Sequence, residues 1–296
     1  MCPAPGLRPF LPRMRISPGI LYMLASTALL AIVNVAVKKL SAVPTAEIIF
    51  GRCLISLVLT VWQLRRTDVP VWGPPEARFN LLGRGIFGAG SLILGFLALK
   101  ILPIGSAVTL SYLAPVVTAV AAIWLVGEPL RPWQWLFYGL AVAGVVVAKG
   151  TAGLLSAGVL LGVGAAVSSG LSSVFLRRVG DKIAPLVPVF YFNLVPLTIA
   201  AVWMLFDFKL PQGTDWAWLA LAGLFTHVAL WCVTQAFQAH EANFVAALDY
   251  LGLLYATALG YFVFGDKVKF SVYPGIALIL LGVLLNAWYT SRQEKQ

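Results

Sequence analysis

The chain has 296 residues, of which 60% are hydrophobic and only 11% are charged, and its mean hydropathy is +0.90. Soluble domains are about 25% charged, so the composition excludes an ordinary soluble protein and indicates a chain embedded in lipid. The net charge of +10 does not indicate nucleic-acid binding, because the lysines and arginines stand at the ends of apolar runs, as membrane-topology signals do.

Apolar runs of about 20 residues, the length of a membrane-crossing helix, follow one another along the chain. The run from Leu154 to Val167 is apolar or small at every position, which favours helices over the alternating strands of a barrel. The predicted spans are Pro18–Leu40, Ala46–Leu64, Leu81–Leu99, Ser106–Val126, Trp133–Ala148, Leu154–Leu176, Leu186–Phe206, Trp216–Phe237, Asn243–Phe264 and Tyr273–Tyr289. We therefore predict an all-α polytopic membrane protein with ten transmembrane helices.

The loops on one side of these spans hold more Lys and Arg than the loops on the other side. The positive-inside rule then predicts an inner-membrane protein with both termini in the cytoplasm. The run from Ile20 lacks a cleavage site and is interpreted as the first span rather than a signal peptide. The three cysteines and two histidines show no ligand spacing, so we predict neither a metal site nor a cofactor.

An internal repeat links the two halves of the chain. Ser111–Ala114 precede an apolar run that ends in Gly127-Glu128, and Asp249–Gly252 precede a run of the same length that ends in Gly265-Asp266. The matched positions lie 138 residues apart without a gap. An odd number of spans in each half inverts the second half in the membrane, an architecture typical of secondary transporters.

The repeat defines the predicted domains. Two inverted five-helix repeats occupy 18–150 and 151–290, between an N-terminal cytoplasmic tail (1–17) and a C-terminal tail (291–296).

Charged residues inside a span are functional candidates because burial in lipid is costly. Glu47 and Arg52 stand about 140° apart on one helix, so each is expected to find a partner on another helix. Alternatively, Glu47 caps its helix and Arg52 satisfies carbonyl groups of a neighbouring span. Asp249 could bind a cationic group of a substrate, take up a proton, or pair with a Lys or Arg near the membrane face.

Polar residues on other spans form the candidate binding cavity. His227, Trp231, Gln235 and Gln238 share one face of the eighth span, where the first half is mostly apolar, so this face is predicted to line a cavity or to hydrogen-bond between helices. Asn34 is a further cavity candidate.

Two tyrosines and a proline complete these candidates. Tyr112 and Tyr250 occupy matched repeat positions and either bind, gate or pack. Pro115 can break its span and expose a carbonyl group. Lys38, at the end of the first span, is predicted to extend towards the membrane surface.

The chain resembles the EamA-type carriers of the drug/metabolite transporter superfamily. Three stretches carry the likeness: Pro44–Glu47 with Phe50–Arg52, Tyr112–Pro115 with Gly127–Pro129, and Tyr250 with Phe264–Asp266. The resemblance implies two five-span repeats around a site formed by the first, third, fourth, sixth, eighth and ninth spans, and it does not specify the substrate. The second half departs from the pattern, because Pro188 and Asn193 stand at the places of Glu47 and Arg52.

These features together predict a secondary transporter that moves a small polar metabolite (an amino acid, an amine or a related solute) by alternating access. No nucleotide-binding G-x-x-x-x-G-K-[ST] loop is present. A membrane-embedded enzyme and a non-transporting sensor or channel are the alternatives. The expected partners are the substrate and the bilayer, and a homodimer is possible.

Overall fold

The computed structural model describes residues 18–67, 69–125, 127, 132–149, 155–180, 183–206, 208–239 and 251–266, and within 274–289 it describes 274–275, 277–278, 280–282, 285–286 and 289. Asp249 and Tyr250, and the side chain of Gln238, lie outside the described residues. The helices are α1 (Pro18–Lys39), α2 (Thr45–Arg66), α3 (Arg78–Ile101), α4 (Ile104–Ser111), α5 (Ala114–Leu125), α6 (Pro132–Lys149), α7 (Ala157–Val179), α8 (Leu186–Met204), α9 (Asp215–Ala239) and α10 (Leu251–Phe264). The described residues of 274–289 are helical as well.

The prediction of an all-helical membrane protein is confirmed for the described ranges. Within them, seven segments are long and apolar enough to cross a bilayer: α1, α2, α3 with its preceding turn, α4 with α5, α7, α8 and α9. α10 is a shorter apolar helix. The third predicted span, Leu81–Leu99, which carries Arg84, lies within α3. The total of ten spans stays a prediction.

The fourth predicted span is interrupted near its middle. α4 ends at Ser111, a turn at Tyr112 and Leu113 follows, and α5 begins at Ala114. The turn is held by short-range bonds, from the Tyr112 N–H to the Thr109 carbonyl and from the Leu113 N–H to the Leu110 carbonyl. Pro115 has no N–H to donate to the Ser111 carbonyl, so the regular ladder breaks here, as its position predicts.

Two central helix pairs, α1 with α9 and α3 with α7, make the most extensive contacts between the described helices. α2 packs against α8 and α9, α3 packs against α8, and α10 lies against α1 and α4. Lipid provides little hydrophobic force between helices, so their association depends on close packing. Small residues permit this close approach. At Gly162 of α7, for example, an added Cβ would stand 2.5 Å from Leu110 Cδ1. Helices from the two predicted halves are thus interleaved.

Candidate functional site

Arg52 of α2 is a buried cation with neutral partners. The residue is 5% exposed, its Nε donates a 2.8 Å hydrogen bond to Thr226 Oγ1 of α9, and its guanidinium lies 5.4 Å from the centre of the Phe96 ring. Its Nη1 is buried and makes no hydrogen bond to a described residue. A buried charge is normally paired, because desolvation is costly. The site is therefore suited to an anionic group.

Glu47, five residues earlier, contacts a different element. It is 3% exposed, and its Oε1 accepts a hydrogen bond from the backbone N–H of Lys209, in the segment between α8 and α9. Glu47 and Arg52 therefore reach separate parts of the molecule, as their spacing predicts. Glu47 ties the start of α2, in the first predicted half, to the second half.

An ion pair closes the same end of the molecule. Lys38 Nζ at the end of α1 lies 2.7 Å from Asp266 Oδ2, just after α10. The same carboxylate oxygen accepts a 3.1 Å hydrogen bond from the backbone N–H of Ile104, at the start of α4, and Lys38 also lies over the ring of Phe264. The carboxylate that binds Lys38 comes from the other predicted half, and the sequence analysis did not predict this contact. The sequence signal for Asp266 is the Gly-acid pair that ends both repeated apolar runs, Gly127-Glu128 and Gly265-Asp266.

The polar residues predicted on the eighth span lie on α9. His227 is 7% exposed, and its Nδ1 makes no hydrogen bond to a described residue. Trp231 is 39% exposed and makes an edge contact with Tyr22 of α1, at 5.7 Å between ring centres. Gln235 is half-buried, and so is Asn34 on α1. His227 is the next residue after Thr226, whose hydroxyl accepts the hydrogen bond from Arg52.

Tyr112 lies at the break between α4 and α5 and is buried. Its hydroxyl reaches α10 at Gly252, where an added Cβ would stand 3.3 Å from the oxygen. The same added Cβ would stand 3.7 Å from the Cβ atom of Thr27 on α1. The helix break thus brings a tyrosine hydroxyl against α10, three residues along the chain from Asp249.

Arg84 of α3 is a second interior cation, which the sequence analysis did not select. Its Nη1 donates a 2.8 Å hydrogen bond to Ser172 Oγ of α7, and the Ser172 hydroxyl donates a 2.7 Å bond to the Arg84 carbonyl. The guanidinium lies 4.7 Å from the centre of the Phe192 ring of α8. A charge inside the predicted span Leu81–Leu99 was the signal that could have identified it.

Two helix contacts in the structure are equivalent in the predicted repeats. α2 and α9 are the second helix of one half and the third of the other, and α8 and α3 are the same pair with the halves exchanged. An added Cβ at Gly223 would stand 2.7 Å from Ile55, and one at Gly85 would stand 2.5 Å from Val195. Ile55 and Val195 are 140 residues apart, and Gly85 and Gly223 are 138 apart.

This equivalence corrects the predicted alignment of the halves by one residue. Arg52 corresponds to Phe192 rather than to Asn193, because Arg52 reaches Thr226 where Phe192 packs on Gly88, at 2.6 Å from an added Cβ. Asn193 instead donates to a carbonyl of its own helix. In the described part of the chain, an interior arginine thus lies at each interface, Arg52 on α2 or Arg84 on α3.

Among the described residues, no group of three His, Cys, Asp or Glu side chains could hold a metal ion. The buried Cys53 and Cys232 are free thiols.

Comparisons with known proteins agree with this architecture. The model of the EamA-like transporter family matches residues 17–149 and again 156–288. Solute carrier family 35 member G1 of Mus musculus is 25% identical, over 86% of this chain and 71% of its own length. The pseudopaline exporter CntI of Pseudomonas aeruginosa strain UCBPP-PA14 is 26% identical, over 91% and 95%. A riboflavin transporter of Brucella anthropi is 26% identical, over 92% and 98%.

A solved crystal structure superposes on 92% of this chain and 97% of its own with a TM-score of 0.65 and 22% identity, which supports the fold alone. The two family matches together span most of the chain and confirm the resemblance seen in its motifs. The chain belongs to the EamA-like transporter family, within the drug/metabolite transporter superfamily.

Proposed function

We propose that this protein is a secondary transporter that moves a small polar metabolite across the inner membrane by alternating access of two inverted repeats. Two family-model matches of equal length support the repeats, and the relatives named above are transporters. The observation that carries the proposal is the buried Arg52, whose partners Thr226 and Phe96 are neutral. An interior cation of this kind is suited to a polar solute that arrives and leaves.

Arg52 also narrows the class of solute. Among amino acids, amines and related solutes, it favours one with a carboxylate, such as an amino acid, because a guanidinium binds a carboxylate through charge-assisted hydrogen bonds. Asp249 is proposed to bind the amino group or to take up a coupling proton. Asn34, Tyr112, His227, Trp231, Gln235 and Tyr250 are proposed to line the same cavity.

The contacts between the halves suggest how access alternates. The Lys38–Asp266 pair and the Glu47–Lys209 bond both join the two halves at the end of the molecule where α1 ends and α2 begins. Arg52 lies further along α2 than Glu47, towards the interior of the molecule, and is buried. These contacts must separate before a solute can reach Arg52 from that face, so the described conformation is closed there. We propose that this face is the external one and that both termini are cytoplasmic.

The test begins with binding. Purified protein is screened by thermal shift against amino acids, amines and nucleosides, because a ligand of the folded state raises the melting temperature by mass action. Each ligand is then assayed for saturable uptake into proteoliposomes, by the wild type and by Asp249→Asn. Asp215→Asn, at the start of α9, is the matched control. Saturable uptake supports the carrier, whereas a ligand that binds tightly and is never moved contradicts it.

A further inference from the structure

We propose that Arg84 is a second anion-binding residue, which receives the carboxylate of the transported solute in the half of the membrane opposite to Arg52. The inference rests on the proposed function and assigns that carrier two cationic stations instead of one.

Among the described residues, the contacts of Arg84 leave its charge without a counter-ion. Its Nη1 donates to the neutral hydroxyl of Ser172, its guanidinium lies on the Phe192 ring, and its buried Nε makes no hydrogen bond to a described residue. The ion pair found among the described residues joins Lys38 to Asp266. The charge of an interior cation with neutral partners is stabilised by an anion that enters as a ligand.

The position of Arg84 repeats that of Arg52 from the other side. Arg52 is the eighth residue of α2 and Arg84 is the seventh of α3, so each lies about 10 Å from the start of its helix at 1.5 Å per residue. Consecutive spans cross the membrane in opposite directions. The two guanidiniums therefore stand at similar depths from opposite faces.

The surroundings of the two cations also match. Each donates to one hydroxyl, of Thr226 or of Ser172, and each lies over a phenylalanine ring. The matched chemistry at two equivalent interfaces favours a shared role over two unrelated structural contacts.

The two stations differ in accessibility. Arg52 is 5% exposed, whereas Arg84 is half-buried and keeps part of its side chain exposed. In a carrier closed at the Arg52 face, a solute from the opposite side meets Arg84 first. Binding at Arg84 would then precede transfer towards Arg52.

The first experiment measures binding to the purified full chain. Succinate and glutamate are titrated against their uncharged amides, succinamide and glutamine, with wild type, Arg84→Gln, Arg84→Lys and Arg65→Gln. Arg65 is an exposed cation at the end of α2, on the face where α3 begins, and is the matched control. We expect Arg84→Gln to weaken carboxylate binding about tenfold, a loss of about 1.4 kcal/mol. Arg84→Lys should weaken it less, and Arg65→Gln should not change it.

The second experiment measures sidedness in oriented proteoliposomes. Arg84→Gln should raise the half-saturating concentration mainly for solute added at the face where α3 begins, and Arg52→Gln mainly for solute added at the other face. A purely structural Arg84 would alter both faces equally. If Arg84→Gln does not fold, the charge-preserving Arg84→Lys and the contact variant Ser172→Ala provide the comparison.

Several results would overturn the proposal. It fails if wild type binds no carboxylate better than its amide, if Arg84→Gln binds carboxylates as wild type does, or if the two faces respond equally. Saturable uptake of an uncharged or cationic solute that is unaffected by Arg84→Gln would overturn this inference and leave the carrier intact. Carboxylate binding through Arg84 without any uptake would instead contradict the proposed function.

Discussion

The α2–α9 and α3–α8 interfaces are built on one plan and differ in where they hold their charge. In the first, Arg52 extends from α2 to Thr226 of α9. In the second, Phe192 of α8 fills the equivalent space against Gly88, and the cation comes from Arg84 on α3. The close-contact glycines occupy equivalent positions at the two interfaces, whereas the arginines lie on non-equivalent helices. Similar packing in the two halves therefore does not require the same residues.

The largest effect on stability is expected at the close-contact glycines of the two interfaces. An added Cβ at Gly85 would stand 2.8 Å from the backbone oxygen of Tyr191 as well as 2.5 Å from Val195, whereas at Gly223 it would meet the side chain of Ile55. Backbone cannot move aside as a side chain can, so Gly85→Ala should lower the free energy of unfolding by about 3 kcal/mol and Gly223→Ala by about 1 kcal/mol. Thermal unfolding in detergent compares the two variants. A larger loss of stability for Gly223→Ala would contradict the expectation that the backbone contact makes Gly85 the less tolerant position.

The hydroxyl partners of the two cations should differ in importance. Thr226→Val removes the hydrogen-bond acceptor of the buried Arg52, so we expect a loss of about 2 kcal/mol. Ser172→Ala should cost about 1 kcal/mol, because the half-buried Arg84 loses less with its hydrogen bond than the buried Arg52 does. The same unfolding assay tests both. Equal losses would mean that the two cations are equally enclosed.

The proposal that the Lys38–Asp266 pair holds the face near Arg52 closed can be tested selectively. Lys38→Met removes the ion pair with Asp266 and should raise the population of open molecules by about fivefold, which corresponds to about 1 kcal/mol. Cys53, buried beside Arg52, reports the opening through its rate of reaction with a maleimide, in a Cys2→Ser and Cys232→Ser background. Lys39→Met is the control, because Lys39 is exposed and also lies over the Phe264 ring but forms no ion pair with Asp266. An unchanged Cys53 rate in Lys38→Met would show that the pair does not hold this face closed.

The smallest effect, and one of opposite sign, is expected at Gly139 of α6. No atom of the described residues lies within 4 Å of an added Cβ there. Gly139→Ala should therefore stabilise the helix by about 0.5 kcal/mol through its higher helix propensity. A melting temperature below that of wild type would show that glycine substitutions destabilise this bundle without a steric cause.

The sequence predicted the elements well because hydropathy and span length set them. The predicted span Pro18–Leu40 is the helix Pro18–Lys39, and Trp216–Phe237 lies within Asp215–Ala239. The break near Tyr112 followed from Pro115, which cannot donate a backbone hydrogen bond. These features depend on local chemistry, which the order of residues specifies directly.

The contacts between helices could not be predicted in the same way. A membrane helix is apolar both towards lipid and towards its neighbours, so hydropathy does not fix its rotation or its register. Asn193 was aligned with Arg52 for this reason, and the contact of Lys38 with Asp266 was not predicted. Arg84 had a signal, a charge inside a span, but its partners Ser172 and Phe192 come from distant helices. The candidates Asp249 and Tyr250 lie outside the described residues and stay predictions.

The central claim is that a solute bound at Arg52 is carried across the membrane. The most direct measurement is the concentration dependence of solute uptake into proteoliposomes by wild type, Arg52→Gln, Arg52→Lys and the exposed-cation control Arg65→Gln. We expect wild type and Arg65→Gln to show saturable uptake, Arg52→Gln to lose at least about tenfold in transport efficiency, and Arg52→Lys to retain part of it. Flux that does not saturate, or full activity in Arg52→Gln, would contradict the account.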